Sequence, residues 1–159
     1  EQLELPPELQ LLFVWSGRSA STTRFLDGVE DSRARNPQLI KALLADMGNI
    51  SLGGLQALKS GDTDGFLRTV AEYGQALKRF GDACEIPIYS PEHEHIASLA
   101  ESTGVAYKPC GAGGGDMGVA FSTDDDALSR LKNRLQDSGF QSLALKVDGR
   151  GVVASSSSQ

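Results

Sequence analysis

Basic charge is the first thing this 159-residue chain is short of: 15 Lys and Arg stand against 21 Asp and Glu, a formal charge of −6. That balance excludes the broad cationic footprint of a general nucleic-acid or anionic-membrane binder, but a small anionic ligand needs only a local patch. Long apolar runs are also lacking. None reaches the roughly 20 residues of a membrane-spanning helix, and no charged, apolar and small-residue signal segment opens the sequence. Cysteine is scarce. Cys84 and Cys110 follow no metal-ligand spacing, and they read as free thiols of a cytoplasmic protein. His93 and His95 lie two apart on an expected helix, so they face different ways and read as surface residues rather than metal ligands. The remaining composition is that of an ordinary globular chain, and its length suits one domain.

The chain opens with "ELPPELQ", whose prolines suit an interdomain linker over residues 1–8, and closes on "SSSSQ", which reads as a disordered tail over 155–159. Between them, residues 9–154 carry the folded pattern. "LQLLFVW" (Leu9–Trp15) is a buried strand. A helix should begin near Ser19–Thr22, where small hydroxyl residues precede Phe25, Leu26 and Val29. Asn36-Pro37 opens a second helix, which Gly48 and Gly53-Gly54 should kink or divide. Asp62 or Asp64 caps a third, with Phe66, Val70, Tyr73, Leu77 and Phe80 on one face. Ser90 and Pro91 start a fourth. Strands Val105–Lys108 and Gly118–Ser122 then flank a glycine loop, and a helix capped by the Asp124–Asp126 run follows. A last strand, Ser142–Val147, meets Asp148-Gly149, which invites a hairpin. Taking the first four helices as one crossover, the order is βαββαβ: an α+β, ferredoxin-like (split βαβ) antiparallel sheet with an expanded helical crossover and helices on one face.

The loop "YKPCGAGGGDMGVAF" (Tyr107–Phe121) departs furthest from average usage. Successive glycine amides can converge on an anion such as phosphate, and the missing Cβ atoms let a ligand approach the main chain. Gly113, Gly115 and Gly118 match G-x-G-x-x-G literally, yet a strand follows where a dinucleotide fingerprint needs a helix. No Gly-Lys-Ser/Thr is present, which excludes a P-loop. No strand lysine, His-Arg-Asp or Asp-Phe-Gly segment follows, which excludes a protein kinase. Gly114→Val is expected to weaken ligand binding while leaving the fold largely intact.

"KPCGAGGGDMG" (Lys108–Gly118) resembles the third motif of the GHMP small-molecule kinases, and most closely the phosphomevalonate kinase branch. "WSGRSASTTRFL" (Trp15–Leu26) is similar to the Gly-x-x-Ala-Ser-Thr segment of the same branch. The resemblance covers residues 9–153 and only the C-terminal domain of such an enzyme. It implies a preceding N-terminal kinase domain that carries the other phosphate loop, the catalytic Asp–Lys pair of many members and most contacts to ATP and Mg2+. It also implies transfer of the ATP γ-phosphoryl group to a small phosphorylated acid of isoprenoid synthesis. Alone, this chain should be a poor catalyst with catalytic residues elsewhere, because phosphoryl transfer depends on nucleotide and metal positioning. Cys110 stands where these kinases usually carry Ser, which removes a hydroxyl contact.

Expected phosphate and substrate contacts are Gly111, Ala112, Gly113, Gly114, Gly115 and Asp116 of the loop, with Lys108 steering phosphate from the strand before it. Ser19, Ser21 and Thr22 either cap a helix or present its positive N-terminus to the substrate, with Arg18 and Arg24 adding charge. Asp116 is expected chiefly to position the loop. No metal site is expected in this chain. Mevalonate kinase and diphosphomevalonate decarboxylase are alternatives within the family, and a stand-alone, non-catalytic binding or interaction module is the alternative outside it. A Ser-rich phosphate loop upstream of Glu1 would favour the kinase, and a start codon immediately before Glu1 the module.

Overall fold

The computed structural model describes residues 3–147. Its elements in chain order are β1 (Gln10–Trp15), α1 (Thr22–Arg35), α2 (Pro37–Ser60), α3 (Thr63–Cys84), α4 (Pro91–Glu101), β2 (Ala106–Pro109), β3 (Met117–Ser122), α5 (Asp125–Asp137) and β4 (Gln141–Leu143). The sheet runs β2-β3-β1-β4, with every neighbouring pair antiparallel. Helices α1 to α4 fill the crossover from β1 to β2, so the order is the expected βαββαβ in an α+β fold.

Strand alternation divides the apolar residues between two faces. Leu12 and Val14 of β1, Tyr107 of β2 and Ala120 of β3 meet Ile96 and Ala100 of α4 and Leu131 and Leu135 of α5. This is the main core. Leu11, Phe13, Val119 and Phe121 point the other way, where Phe66, Leu67 and Val70 of α3 pack on them. The one-face arrangement therefore holds for α4 and α5, while α3 adds cover on the opposite face. A third cluster of Ile40, Phe80, Cys84 and Ile88 joins α2, α3 and the segment leading to α4.

Helix α2 does not break at its glycines; it runs unbroken over 24 residues. Gly54 serves packing instead. A Cβ there would lie 2.9 Å from Thr69 Oγ1 of α3, so the missing side chain lets the two helices approach. The caps follow the sequence closely. Asp62 Oδ1 accepts from the Gly65 amide at 2.8 Å, and Asp124 Oδ1 accepts from Asp126 and Ala127 at 2.9 and 3.0 Å. Ser90 Oγ accepts from the His93 amide at 3.4 Å, ahead of Pro91 at the first helical position. Asn36 precedes α2 without a side-chain capping bond.

Strand β4 is shorter than the expected Ser142–Val147. The hairpin expected at Asp148-Gly149 and the tail expected over 155–159 lie outside the described residues. No helix among the described residues is long and apolar enough to cross a membrane. Both cysteines are free, Cys84 buried and Cys110 half-buried.

Candidate functional site

Residues 110–116 turn β2 back into β3, closed by the Cys110 amide donating to the Met117 carbonyl at 2.8 Å. Gly111, Gly113 and Gly114 have φ of 60°, 73° and 74°, and Asp116 joins them in the left-handed region at 54°. The loop does not present an uninterrupted row of amides. Gly113 donates to the Cys110 carbonyl at 3.2 Å, Gly114 to Ile88 at 2.7 Å and Asp116 to Arg18 at 2.7 Å. Gly113, Gly114 and Gly115 are buried.

Their glycine identity is explained by what surrounds them. A Cβ on Gly113 would lie 2.6 Å from the Ile88 carbonyl oxygen, and one on Gly115 2.8 Å from that of Arg18. One on Gly114 would overlap the Phe25 ring at the start of α1. Gly114→Val is therefore expected to cost stability as well as binding. The outer edge remains open, with Gly111 and Asp116 exposed and Ala112 half-buried. Among the described residues, the amides of Gly111, Ala112 and Gly115 donate no hydrogen bond.

The segment after β1 seats this loop. Register pairs Trp15 with Met117, so residues 16–21 and the loop leave the sheet at the same end. The Ser16 amide donates to the Asp116 carbonyl at 2.9 Å, and Ser16 Oγ donates to the Arg18 carbonyl at 3.0 Å. Arg18 and Ser19 are thereby brought against Gly115 and Asp116. Ser21 is the N-cap residue of α1, yet its hydroxyl makes no capping bond. Ser19, Ser21 and Thr22 are all exposed. Arg18 pairs with Glu92 at 3.5 Å, which offsets part of its charge. The Ser90 hydroxyl first, then the backbone and Arg18, hold the Glu92 carboxyl below the usual range.

Lys108 lies elsewhere. Strand alternation turns it away from Tyr107 and Pro109, and its ammonium donates to the Pro109 carbonyl at 3.0 Å and stands 5.9 Å from the Tyr73 ring centre. It borders a cavity of about 440 Å³ whose walls include Ile50, Leu58, Phe66 and Phe121, and no residue of the glycine loop lines that cavity. Cys110 packs with the cluster on the same face, and burial pushes its thiol pKa up against the pull of Lys108.

His93 is a core residue and not the expected surface residue. It is fully buried, with Nδ1 2.6 Å from the Tyr107 hydroxyl and Nε2 2.8 Å from the Gly115 carbonyl oxygen. The signal was present: with Pro91 fixing the helix start, His93, Ile96 and Ala100 fall on one stripe, and all three are buried. His95 matches the surface expectation and lies edge-on to Phe140. Burial lowers the His93 pKa, opposed by the Gly115 bond and by Glu92 and Asp116.

The unfolded chain, with a histidine pKa of about 6.5, therefore takes up this proton before the folded one. The resulting stability is complete above that pH and is lost as pH falls below it. Urea midpoints should fall between about pH 7 and 5.5, and His93→Leu should flatten that slope. An unchanged slope in the variant would show that His93 is not its source.

Residues 55–141, just over half of the chain, match the family model of the GHMP kinases C terminal. The chain belongs to this GHMP kinase family. The matched residues contain the whole glycine loop, while Arg18–Thr22 lies before them. Over 153 residues this GHMP domain is 27% identical to the phosphomevalonate kinase of Streptomyces sp. (strain CL190), covering 95% of the chain and 41% of that relative. Its fold matches the crystal structure of a Lin0012 protein from Listeria innocua with a TM-score of 0.85 at 25% identity, over 90% of this chain and 40% of that one. It also matches the Streptococcus pneumoniae phosphomevalonate kinase solved with phosphomevalonate and AMPPNP, with a TM-score of 0.72 at 22% identity, over 88% and 39% of the two chains. The GHMP domain described here thus spans about two fifths of the length of the relatives it matches.

Proposed function

We propose that this GHMP kinase domain forms one wall of the phosphate site in an ATP-dependent kinase that acts on phosphomevalonate or a closely related phosphorylated acid. The observation that carries the reading is the seating of the Gly115–Asp116 backbone on Arg18–Ala20. It places the open Gly111–Ala112 edge and the N-terminus of α1 at one end of the sheet. The likeness to the Streptomyces phosphomevalonate kinase over 95% of the chain supports that substrate class.

The exposed residues suit an anion. Amides of Gly111 and Ala112 carry no internal bond, the Ser19, Ser21 and Thr22 hydroxyls face solvent, and α1 directs its positive end toward them. Arg18 adds a guanidinium that can leave Glu92 for a phosphate oxygen. In this proposal those groups orient the phosphate of the acceptor, and Asp116 keeps the loop in place. Lys108 steers approaching anions only from a distance.

Among the described residues no cluster of three or more His, Cys, Asp or Glu side chains is placed for a metal. Magnesium commonly takes one or two carboxylates plus nucleotide phosphates, and Asp116 is the loop carboxylate that could contribute. When bound, Mg–ATP supplies the transferred phosphoryl group and neutralises its developing charge. In this reading an N-terminal kinase domain supplies the catalytic residues and most nucleotide contacts.

The test is ATP-dependent turnover by the full-length protein with mevalonate, phosphomevalonate and related acids. Preferred transfer to phosphomevalonate is expected. Preferred turnover of another family substrate would reassign the acceptor, and no turnover with any of them would remove the kinase reading.

A further inference from the structure

We propose that His93 is the positioning residue of the glycine loop, holding the Gly115–Asp116 peptide in the orientation that phosphate binding uses. The catalytic part of this inference rests on the function proposed above; the clamp itself rests on geometry. One peptide unit is tied at both of its polar ends. Its carbonyl, that of Gly115, lies 2.8 Å from His93 Nε2 of α4, and its amide, that of Asp116, donates to Arg18 at 2.7 Å. Two elements distant in sequence thus grip the same plane.

The proton on the ring can be assigned from its partners. A carbonyl oxygen only accepts, so Nε2 carries the hydrogen and donates it to Gly115. Nδ1 of the neutral ring is then the acceptor, and the Tyr107 hydroxyl donates to it at 2.6 Å. Gly118 on the facing strand leaves room for Tyr107, since a Cβ there would overlap its hydroxyl. Ser90 Oγ holds the His93 amide, and the ring itself has no exposed surface. Glu92 and Asp116 are the charged groups whose fields reach the ring.

The consequence falls on the loop. Without the Nε2 donor, a carbonyl beside buried glycines loses its partner, a state that folded proteins avoid by moving the group. Turning this peptide would change the direction of Asp116, already at φ 54°, and lift Gly115 from Arg18–Ala20. The open edge at Gly111 and Ala112 belongs to the same loop and would shift with it. A loss of substrate affinity is expected beyond any loss of stability.

The experiment uses the full-length protein. Nitrogen-15 NMR of the wild-type imidazole should show the Nε2–H tautomer. His93→Leu should raise KM for the phosphorylated acceptor or for ATP at least about tenfold, with a smaller change in kcat, and should displace the Gly111 and Ala112 amide resonances. His93→Gln, whose side-chain amide can donate to Gly115, should recover part of the lost affinity. His95→Gln should match wild type. A folded His93→Leu protein with wild-type KM values and unmoved loop resonances would overturn the proposal, as would an Nδ1–H tautomer in the wild type. If His93→Leu does not fold, Tyr107→Phe decides. The Gly115 carbonyl should keep the Nε2–H tautomer, while loss of the Tyr107 hydroxyl should raise KM and displace the Gly111 and Ala112 resonances; unchanged KM with unmoved resonances would overturn the clamp. Should the wild type show no turnover, the kinase reading fails while the tautomer and the loop resonances still decide the role of His93.

Discussion

Gly114→Val is expected to destabilise the full-length protein by about 3 kcal/mol, combining roughly 1–2 kcal/mol for a left-handed residue with roughly 1–3 kcal/mol for overpacking. The backbone at Gly114 has φ 74°, and a side chain there would enter the space of the Phe25 ring. Relief would need the Phe25 ring to move from its place against the loop. Gly111 supplies the internal comparison. Its φ of 60° imposes similar backbone strain, but a Cβ there would meet nothing within 4 Å. Gly111→Val should therefore show the smaller loss, about 1–2 kcal/mol from strain alone. Urea unfolding of both variants measures the difference, and equal losses would show that Phe25 yields at no cost.

Leu131→Ala should cost about 3 kcal/mol, within the roughly 2–5 kcal/mol seen when a buried leucine is truncated and its cavity only partly collapses. Leu131 has no exposed surface and lies in the cluster that unites α5 with Val14, Tyr107, Ala120 and Ile96. That cluster carries both the strand leading into the loop and the helix bearing His93. No residue of the loop itself lies in that cluster, so stability should fall while the folded fraction retains its ligand affinity. Leu26→Ala is the matching surface change: Leu26 is 61% exposed, and its loss should stay within about 0.5 kcal/mol. Urea denaturation with parallel calorimetry separates the two effects, and a Leu131→Ala loss no larger than that of Leu26→Ala would contradict the core assignment.

Much of the fold was legible because its signals are local. Asp62, Ser90 and Asp124 cap the helices they precede, and the Phe66–Phe80 stripe follows one helical face. The order of elements then led to the sheet. The continuity of α2 was not legible, since Gly54 reports the approach of Thr69 from another helix, and a sequence window does not contain that neighbour. The glycine loop was found, but the destinations of its amides were not. Three of them go to carbonyls of Cys110, Ile88 and Arg18, and the last two come from segments far from the loop in sequence. Lys108 illustrates the same limit. Its place at the end of β2 was clear, yet strand alternation turned its ammonium toward Tyr73. For His93, the two-residue spacing from His95 hides the stripe it shares with Ile96 and Ala100.

The loop has two parts with different duties. Gly113, Gly114 and Gly115 are packing glycines that let the hairpin sit between Ile88, Phe25 and Arg18. Gly111, Ala112 and Asp116 form the edge that remains accessible. Substitutions in the first group should register mainly as stability; in the second, those that keep the backbone conformation, such as Ala112→Asp, should register as affinity.

The most direct measurement is phosphoryl transfer from ATP to phosphomevalonate by the full-length wild type and by Ala112→Asp. The substitution sets a carboxylate on the open edge, where charge repulsion should oppose a phosphate. Wild-type turnover is expected, with at least about a tenfold lower kcat/KM in the variant and near-normal folding stability. Equal kcat/KM in two folded proteins, or no transfer by the wild type, would contradict it.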